Sequence, residues 1–282
     1  GMEVVDTVTL YNQIAMPALS LPEVALLLFL SLPAAAVIGF RTGAHRRRRL
    51  LAADNKIEHV VGETTLGAIL ALLGLLLAFS FGNALNLAQA RKAAVVGEAA
   101  AIGTAFLRAD YVAEPARTEL QKALLDYGRS RILPMDGSLA TTEQARAFLK
   151  ETLTAQEKLW PLTLEATADP MPAPLKGFVA GAMNDALDAH LYRVEHLSNP
   201  VSDVVLSMLL AAALMSLFLL GNRNGSNGRD LTWRTFVLSG FLFLVMLTIV
   251  DTQRSAEGLV RTDETALLVT VHDMELALAG RN

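Results

Sequence analysis

Four stretches of the chain are apolar around their whole circumference when drawn as helices. They cover residues 21–40, 64–81, 201–220 and 231–250. About 20 consecutive apolar residues are needed to cross the hydrocarbon core of a bilayer. A helix on the surface of a soluble domain shows a single apolar stripe instead. The pattern therefore predicts four transmembrane helices.

The second apolar stretch continues into helix-forming sequence without a break. Residues 82–110 are rich in Ala, Leu, Gln, Arg and Glu, which favour helices. A continuous helix over 64–110 would be about 70 Å long, because each residue adds about 1.5 Å. It would leave the bilayer and begin an extramembrane domain.

That domain is predicted over residues 82–200, where helical periodicity recurs and no strand-like alternation of useful length appears. The predicted elements are a helix from Pro115, a turn over 134–137, a helix over 141–160, a loop over 161–174 and a helix over 175–197. The fold class is an all-α membrane protein with four transmembrane helices and an extramembrane helical bundle.

The predicted organisation has four parts. An N-terminal segment and the first two transmembrane helices occupy 1–81, the extramembrane bundle occupies 82–200, and the other two transmembrane helices occupy 201–250. A helical tail follows over 251–282, and its apolar stripe suits it to close the bundle.

Composition agrees with a membrane protein and excludes several functions. Apolar residues make up 52% of the chain, charged residues 18%, and the mean hydropathy is +0.39. The net charge of -4 argues against a nucleic-acid partner, since phosphate binding requires a basic surface. The absence of cysteine excludes disulfides, thiolate catalysis and cysteine-ligated metals.

Charge bias predicts how the chain crosses the membrane. Glu3 and Asp6 precede the first apolar run, whereas the loop 41–63 holds six Lys and Arg residues. The loop 221–234 is also arginine-rich. Because basic loops stay in the cytoplasm, both loops are predicted inside, in the cell (inner) membrane. The N-terminus, the 82–200 domain and the C-terminus are then outside, and the first run is a retained helix rather than a cleaved signal.

Motifs that carry catalysis are missing from the sequence. There is no G-x-S-x-G, H-E-x-x-H, S-x-x-K or glycine-rich phosphate loop. The sequence therefore predicts neither an enzyme nor a bound cofactor.

One histidine-containing segment carries side chains that could in principle ligate a metal. Its candidate ligands are Asp185, Asp188, His190, Glu195 and His196. Asp188 and His190 are two residues apart and diverge by about 200° on a helix, so no single ligand face forms. A solvated helix face is the preferred interpretation, and no metal is predicted.

The second transmembrane helix carries two distinctive faces. A narrow face of small residues, which suits close helix packing, consists of Gly67, Ala71, Gly74 and Ala78. A second face begins bulky and ends with amides: Leu72, Leu76, Phe79, Asn83 and Asn86. In an oligomer around this helix, the second face would form an apolar constriction that opens into a polar vestibule. The alternative is ordinary packing, with the asparagines beyond the membrane edge.

The sequence over 67–132 resembles the bestrophin-like domain family of bacterial membrane proteins. The resemblance rests on Ala-Phe-Ser-Phe at 78–81, followed by Arg91, Glu98, Gly103, Thr104, Leu107, Arg108 and Asp110, and then by Tyr127, Arg129 and Arg131. Two membrane helices before the domain and two after it agree with the family layout.

Bestrophins proper are homopentameric ion channels whose second membrane helix lines the pore. The resemblance thus implies a homo-oligomer, a pentamer by analogy, with 64–110 around its axis and inorganic ions as its cargo. Two features differ from bestrophins: no acidic calcium clasp is found, and the charge bias places the domain outside rather than in the cytosol. Glu98 either pairs with an arginine or rings the pore.

Two functions follow from these observations. The first is an oligomeric ion channel or channel-like conduit in the lipid bilayer, lined by the second membrane helix. Asparagines and the acids Glu23, Asp203 and Asp251 at outer helix ends favour cations. The second is a non-conducting sensor or scaffold that acts through a partner protein.

Overall fold

The computed structural model describes residues 19–132, 142–198, 203–253 and 264–281. Within these ranges the chain forms eight α-helices and one 3-10 turn, Ala109–Tyr111, and no strand. The helices are α1 (Leu21–Ala52), α2 (Glu63–Arg108), α3 (Ala116–Ser130), α4 (Thr142–Ala166), α5 (Ala173–Ser198), α6 (Asp203–Ser226), α7 (Trp233–Gln253) and α8 (Thr265–Ala279).

Four of the described helices, α1, α2, α6 and α7, are long and apolar enough to cross a membrane. Each contains nearly all of one predicted apolar run; residues 201–202 of the third run lie outside the described residues. The predicted all-α class with four membrane-length helices is confirmed. The chain divides into two compact units. Ala18–Asn86 and Pro200–Arg254 form one, which we call the membrane unit, and the second, which includes Leu87–Asn199 and Ser255–Asn282, is called the helical domain.

α1 is longer than its apolar run. Ser20 and Glu23 cap its start reciprocally, each side chain accepting from the other's backbone N–H at 3.4 Å. The helix then continues to Ala52, so the arginines of the predicted loop 41–63 are largely helical. Arg, Leu and Ala after Phe40 are good helix formers, which explains the extension. The connection to α2 is therefore only residues 53–62.

α1 and α6 cross with their backbones in contact. A Cβ atom at any of Gly39, Gly43, Gly221 or Gly225 would overlap a carbonyl oxygen of the opposite helix. Each helix thus presents two glycines four residues apart, the arrangement that lets membrane helices approach most closely. The close crossing fixes the ends of α1 and α6 against each other.

α2 is a single helix of 46 residues, as the unbroken pattern predicted. In the membrane unit its buried side is a stripe of Leu66, Leu73, Leu77 and Ala84. Successive members are seven, four and seven residues apart, the spacing of a heptad seam. A seam this narrow leaves the faces on either side of it uncovered by the rest of the unit.

The helical domain has one apolar core. It is built from the C-terminal half of α2 together with α3, α4, α5 and α8, and includes Ile102, Leu124, Leu159, Met183 and Leu267. The tail helix α8 contributes Leu267, Val271 and Met274 to this core. The C-terminal segment is therefore part of the domain rather than an appendage.

α4 extends further than the sequence predicted. It passes through Pro161 and ends at Ala166, so the prediction of a loop over 161–174 was wrong at both ends, because α5 begins at Ala173. Proline in a helix interior costs about 3 kcal/mol. Here the flanking Leu159 and Thr163 are fully buried, and Thr163 Oγ1 donates to the Leu159 carbonyl at 2.7 Å. Burial of this face outweighs the proline's cost.

Candidate functional site

The predicted pore-lining residues form one exposed face of α2. Phe79 is 71% exposed, Leu72 58% and Leu76 41%. Asn83 and Asn86 are also exposed and continue the same face toward the helical domain's half of the helix. The structure therefore brings all five residues together on a surface that the rest of the described chain leaves open.

The small-residue face lies on the other side of the buried seam. Gly67, Ala71, Gly74 and Ala78 are all exposed. A Cβ atom at Gly67 or Gly74 would meet no atom of the described chain within 4 Å. This face is therefore exposed in the described part of the chain, where it is open to another helix or to lipid.

Two residues on which the bestrophin-like resemblance rests, Glu98 and Arg131, belong to a charged cluster inside the helical domain. Glu98 is 0% exposed, and both of its carboxylate oxygens contact Arg131. Nε of Arg131 donates to Oε1, and Nη2 donates to Oε2 at 3.3 Å. This two-point contact is the strong form of an arginine–carboxylate pair. It favours the interpretation that Glu98 pairs with an arginine over the one in which it rings a pore.

A second arginine joins the cluster from α5. Arg193 Nη1 lies 3.5 Å from Glu98 Oε2 and donates to the Arg131 carbonyl at 3.1 Å. Its Nη2 donates to Glu264 Oε1 at 3.0 Å, just before α8 begins. Thr152 Oγ1 accepts from Arg131 Nη1 at 3.3 Å. One buried network therefore connects α2, the end of α3, α4, α5 and the start of α8.

Burial shifts the pKa values of groups in this network. Burial, and then the nearby Arg131, lowers the pKa of His190 to about 4. Burial also raises the pKa of Glu264, although Arg193 opposes that change. Burial disfavours the charge on Arg131, but Glu98 more than compensates and raises its pKa. With a pKa of about 4, His190 is neutral at pH 7.

The burial of His190 contradicts the interpretation of its segment as a solvated helix face. Asp185 and Asp188 are exposed, but His190 is buried at the edge of the ion network. Because these side chains point in different directions, they do not converge, and no group of three metal-ligating side chains occurs in the described part of the chain. The side chains of Glu195 and His196 lie outside the described residues.

The last motif residues hold the end of α2. Arg108 donates to the Phe178 carbonyl at 3.1 Å and lies 4.1 Å above that residue's ring. Asp110 accepts from Gln121 at 2.9 Å and from Arg281 at 2.6 Å. These contacts tie α2 to α5, to α3 and to the segment after α8.

The remaining motif residues differ in burial. Arg91 is buried, whereas Thr104 is exposed. Gly103 is half-buried, and a Cβ there would lie 3.5 Å from Thr270 of α8. Between Glu98 and Asp110 the motif therefore has one buried residue, Glu98, whereas Thr104, Leu107 and Asp110 are exposed. The two open faces of α2 precede this segment.

The acids expected at outer helix ends have different environments where the structure describes them. Glu23 serves the cap of α1, and Asp251 is buried near the end of α7. The side chain of Asp203 lies outside the described residues. The structure therefore adds no support to the idea that acids gathered at the outer helix ends attract cations.

Sequence reasoning missed the glycine crossing of α1 and α6. Its signal was present as Gly-x-x-x-Gly at 39–43 and again at 221–225. The second copy lies within the predicted loop 221–234, whereas α6 continues to Ser226. Arg193 and Glu264 were also missed, and they carry no local signal because their partners are distant in sequence.

No protein-family model matches the sequence, and no solved structure matches the fold. The resemblance to the bestrophin-like domain family therefore stays a prediction. The strongest functional feature of the chain is the pair of open faces on α2.

Proposed function

We propose that this chain is a subunit of a homo-oligomeric membrane channel whose conduit is lined by α2. The observation that carries the proposal is the exposure of two unlike faces on one membrane-length helix. Only 17% of the apolar window of α2 is buried within the chain, against 44% for α7. α2 is thus the least covered of the four membrane-length helices.

The two faces suit different neighbours. Gly67 and Gly74 leave room for the backbone of a helix from a second copy, which is how small-residue faces associate in membranes. The face of Leu72 and Phe79 would then turn toward the axis and narrow it. An apolar constriction of this kind gates by excluding water.

The chemistry of the second face changes along its length. Asn83 and Asn86 follow the apolar constriction by one to two turns. Amide oxygens can coordinate partly dehydrated cations, so the proposed cargo is an inorganic cation. Glu98 takes no part in the conduit, because it is buried against Arg131.

The charge bias supports one orientation in the cell membrane. The arginines at the ends of α1 and α6 favour the cytoplasmic side for these ends. The N-terminus, the helical domain and the C-terminus are then extracytoplasmic. Reporter fusions at Arg49 and within 136–142 would test this orientation independently of conduction.

Recording from the purified full-length protein in planar bilayers tests the channel. Discrete currents are expected, and Phe79→Ala is expected to widen the constriction and raise conductance or open probability. Phe241→Ala is the matched control, since Phe241 on α7 is similarly exposed, at 64%. A strictly monomeric protein, or an oligomer silent at all voltages, pH values and calcium levels, would instead support the sensor or scaffold.

A further inference from the structure

A basic pocket of about 340 Å³ lies between the end of α1 and the end of α6. Its apolar wall is formed by Phe40 and Ala44. Its charged lining is one carboxylate, Asp230, and four arginines: Arg41, Arg47, Arg48 and Arg229. The formal charge around this small space is therefore strongly positive.

The pocket lies at the level expected for lipid headgroups. Arg41 directly follows the apolar run that ends at Phe40, and Gly225 is five residues beyond Leu220. At about 1.5 Å per residue, both lie within about 8 Å of the apolar ends of their helices. The headgroup region begins there, because the hydrocarbon core is only about 30 Å thick.

One of the four arginines is fixed by the protein. Arg47 Nη1 donates to the Ser226 carbonyl at 3.3 Å. Its guanidinium lies against Gly228, where a Cβ atom would be 2.8 Å from Arg47 Cζ. Gly228 has a φ of 71°, which glycine adopts readily, so the turn leaves room for this guanidinium.

The other three arginines have unused donors. Within the described part of the chain, the side chains of Arg41, Arg48 and Arg229 form no hydrogen bond or ion pair. Arg46 and Arg223, in contrast, donate to loop carbonyls at 2.7 Å and 2.9 Å. Like charges gathered around one pocket repel each other, so a bound anion would stabilise the arrangement.

We propose that this pocket binds the phosphate-bearing headgroup of an anionic phospholipid. Guanidinium groups donate two parallel hydrogen bonds to phosphate oxygens, which matches the unused donors. Basic pockets between membrane helices are a recurrent form of headgroup site. The apolar wall of Phe40 and Ala44 continues into the membrane-length part of α1, as an acyl chain requires and a free phosphate ion does not.

The test is native mass spectrometry of the full-length protein in a neutral detergent. Phosphatidylglycerol is expected to bind at least about tenfold more tightly than phosphatidylcholine with the same acyl chains. The triple variant Arg41→Gln, Arg48→Gln, Arg229→Gln should bind phosphatidylglycerol about 100-fold more weakly, as each arginine contributes about fivefold. The matched control Arg49→Gln, Lys56→Gln, Arg234→Gln removes three charges that do not line the pocket and should change binding less than about threefold.

A fourth variant changes affinity in the opposite direction. Asp230→Asn removes the one lining carboxylate and should tighten phosphatidylglycerol binding by about fivefold without threatening the fold. The proposal would be overturned if the pocket variant and the control variant lost the same amount of phosphatidylglycerol affinity. Equal binding of phosphatidylglycerol and phosphatidylcholine would also overturn it. Inorganic phosphate that binds alone and displaces phosphatidylglycerol would show a free-phosphate site and overturn the lipid assignment.

Discussion

Gly221 of α6 lies directly against the backbone of Ala36 in α1: a Cβ atom at position 221 would be 3.0 Å from the Ala36 carbonyl carbon and would overlap its oxygen. Gly225 meets the Phe40 carbonyl in the same way, one turn further along. Backbones this close leave no space for a side chain. The two helices can keep their crossing only if these positions remain glycine.

Gly221→Ala is therefore expected to destabilise the protein, although alanine is a better helix former than glycine. The new methyl group must push α1 and α6 apart, and overpacking of this kind costs about 1–3 kcal/mol. Thermal unfolding of the purified protein in detergent measures the change. Gly240→Ala is the control, because nothing lies within 4 Å of that position, and it should be neutral or slightly stabilising. Equal stability of the two variants would contradict the crossing.

The buried pair of Glu98 and Arg131 predicts a large loss of stability. Glu98→Gln leaves two buried arginines without their shared carboxylate, and breaking a buried pair costs about 3–5 kcal/mol. A loss of about 3 kcal/mol lowers the midpoint of thermal unfolding by roughly 5 °C in a chain of this size. Glu275→Gln breaks the exposed pair with Arg129 and should change the midpoint little. A small effect of Glu98→Gln would mean that Arg131 finds another partner.

Local pattern was enough to predict the four membrane-length helices and the continuity of α2. The four apolar runs and the unbroken helix-forming sequence after Phe81 depend on neighbouring residues, and the structure follows them. Pro161 shows the limit of the same reasoning, because its helix is kept by the burial of Leu159 and Thr163 against distant residues. Local propensity determines the secondary structure of a segment only where tertiary packing does not override it.

The features of the candidate site could likewise be predicted only in part from the sequence. The two faces of α2 follow from helical spacing, so their residues could be grouped from sequence. The ion network could not, because Glu98, Arg131, Arg193 and Glu264 are separated by tens of residues and meet only when the domain folds. The lipid pocket combines a recognised basic run with Arg229, which approaches it only because α1 and α6 cross at their glycines.

The neutral state of His190 predicts a pH dependence of stability. Its pKa in the folded protein is about 4, below the ordinary value of 6.5, so the unfolded chain binds more protons between these pH values. The free energy of unfolding should therefore fall as pH decreases from 6.5 toward 4, by about 3 kcal/mol from this group. Glu264 acts in the opposite sense, because its raised pKa stabilises the fold as it gains a proton.

Substitution separates the two contributions. His190→Gln should flatten the loss of thermal stability between pH 6.5 and pH 4, whereas His272→Gln, at an exposed position, should leave the profile unchanged. The charged groups around His190 that act on it are Arg131, Glu98 and Arg193. An unaltered profile in His190→Gln would show that other groups dominate acid destabilisation.

The open small-residue face of α2 predicts that Gly74→Ile weakens assembly without unfolding the subunit, a prediction that rests on the proposed oligomer. A Cβ atom at Gly74 would meet no atom of the described chain within 4 Å, so the larger side chain is expected to leave the fold of the subunit intact. In an assembly packed through this face it would separate neighbouring helices, at a cost of about 1–3 kcal/mol and hence about tenfold or more in association. Gly240→Ile adds the same side chain to an equally open position on α7 and should leave the oligomer intact.

Native mass spectrometry would report the stoichiometry of each variant, with thermal unfolding as the check on the fold. If Gly74→Ile forms oligomers as stable as those of the unaltered protein, the small-residue face is not part of the interface. The reason for placing Phe79 at the axis is then lost as well.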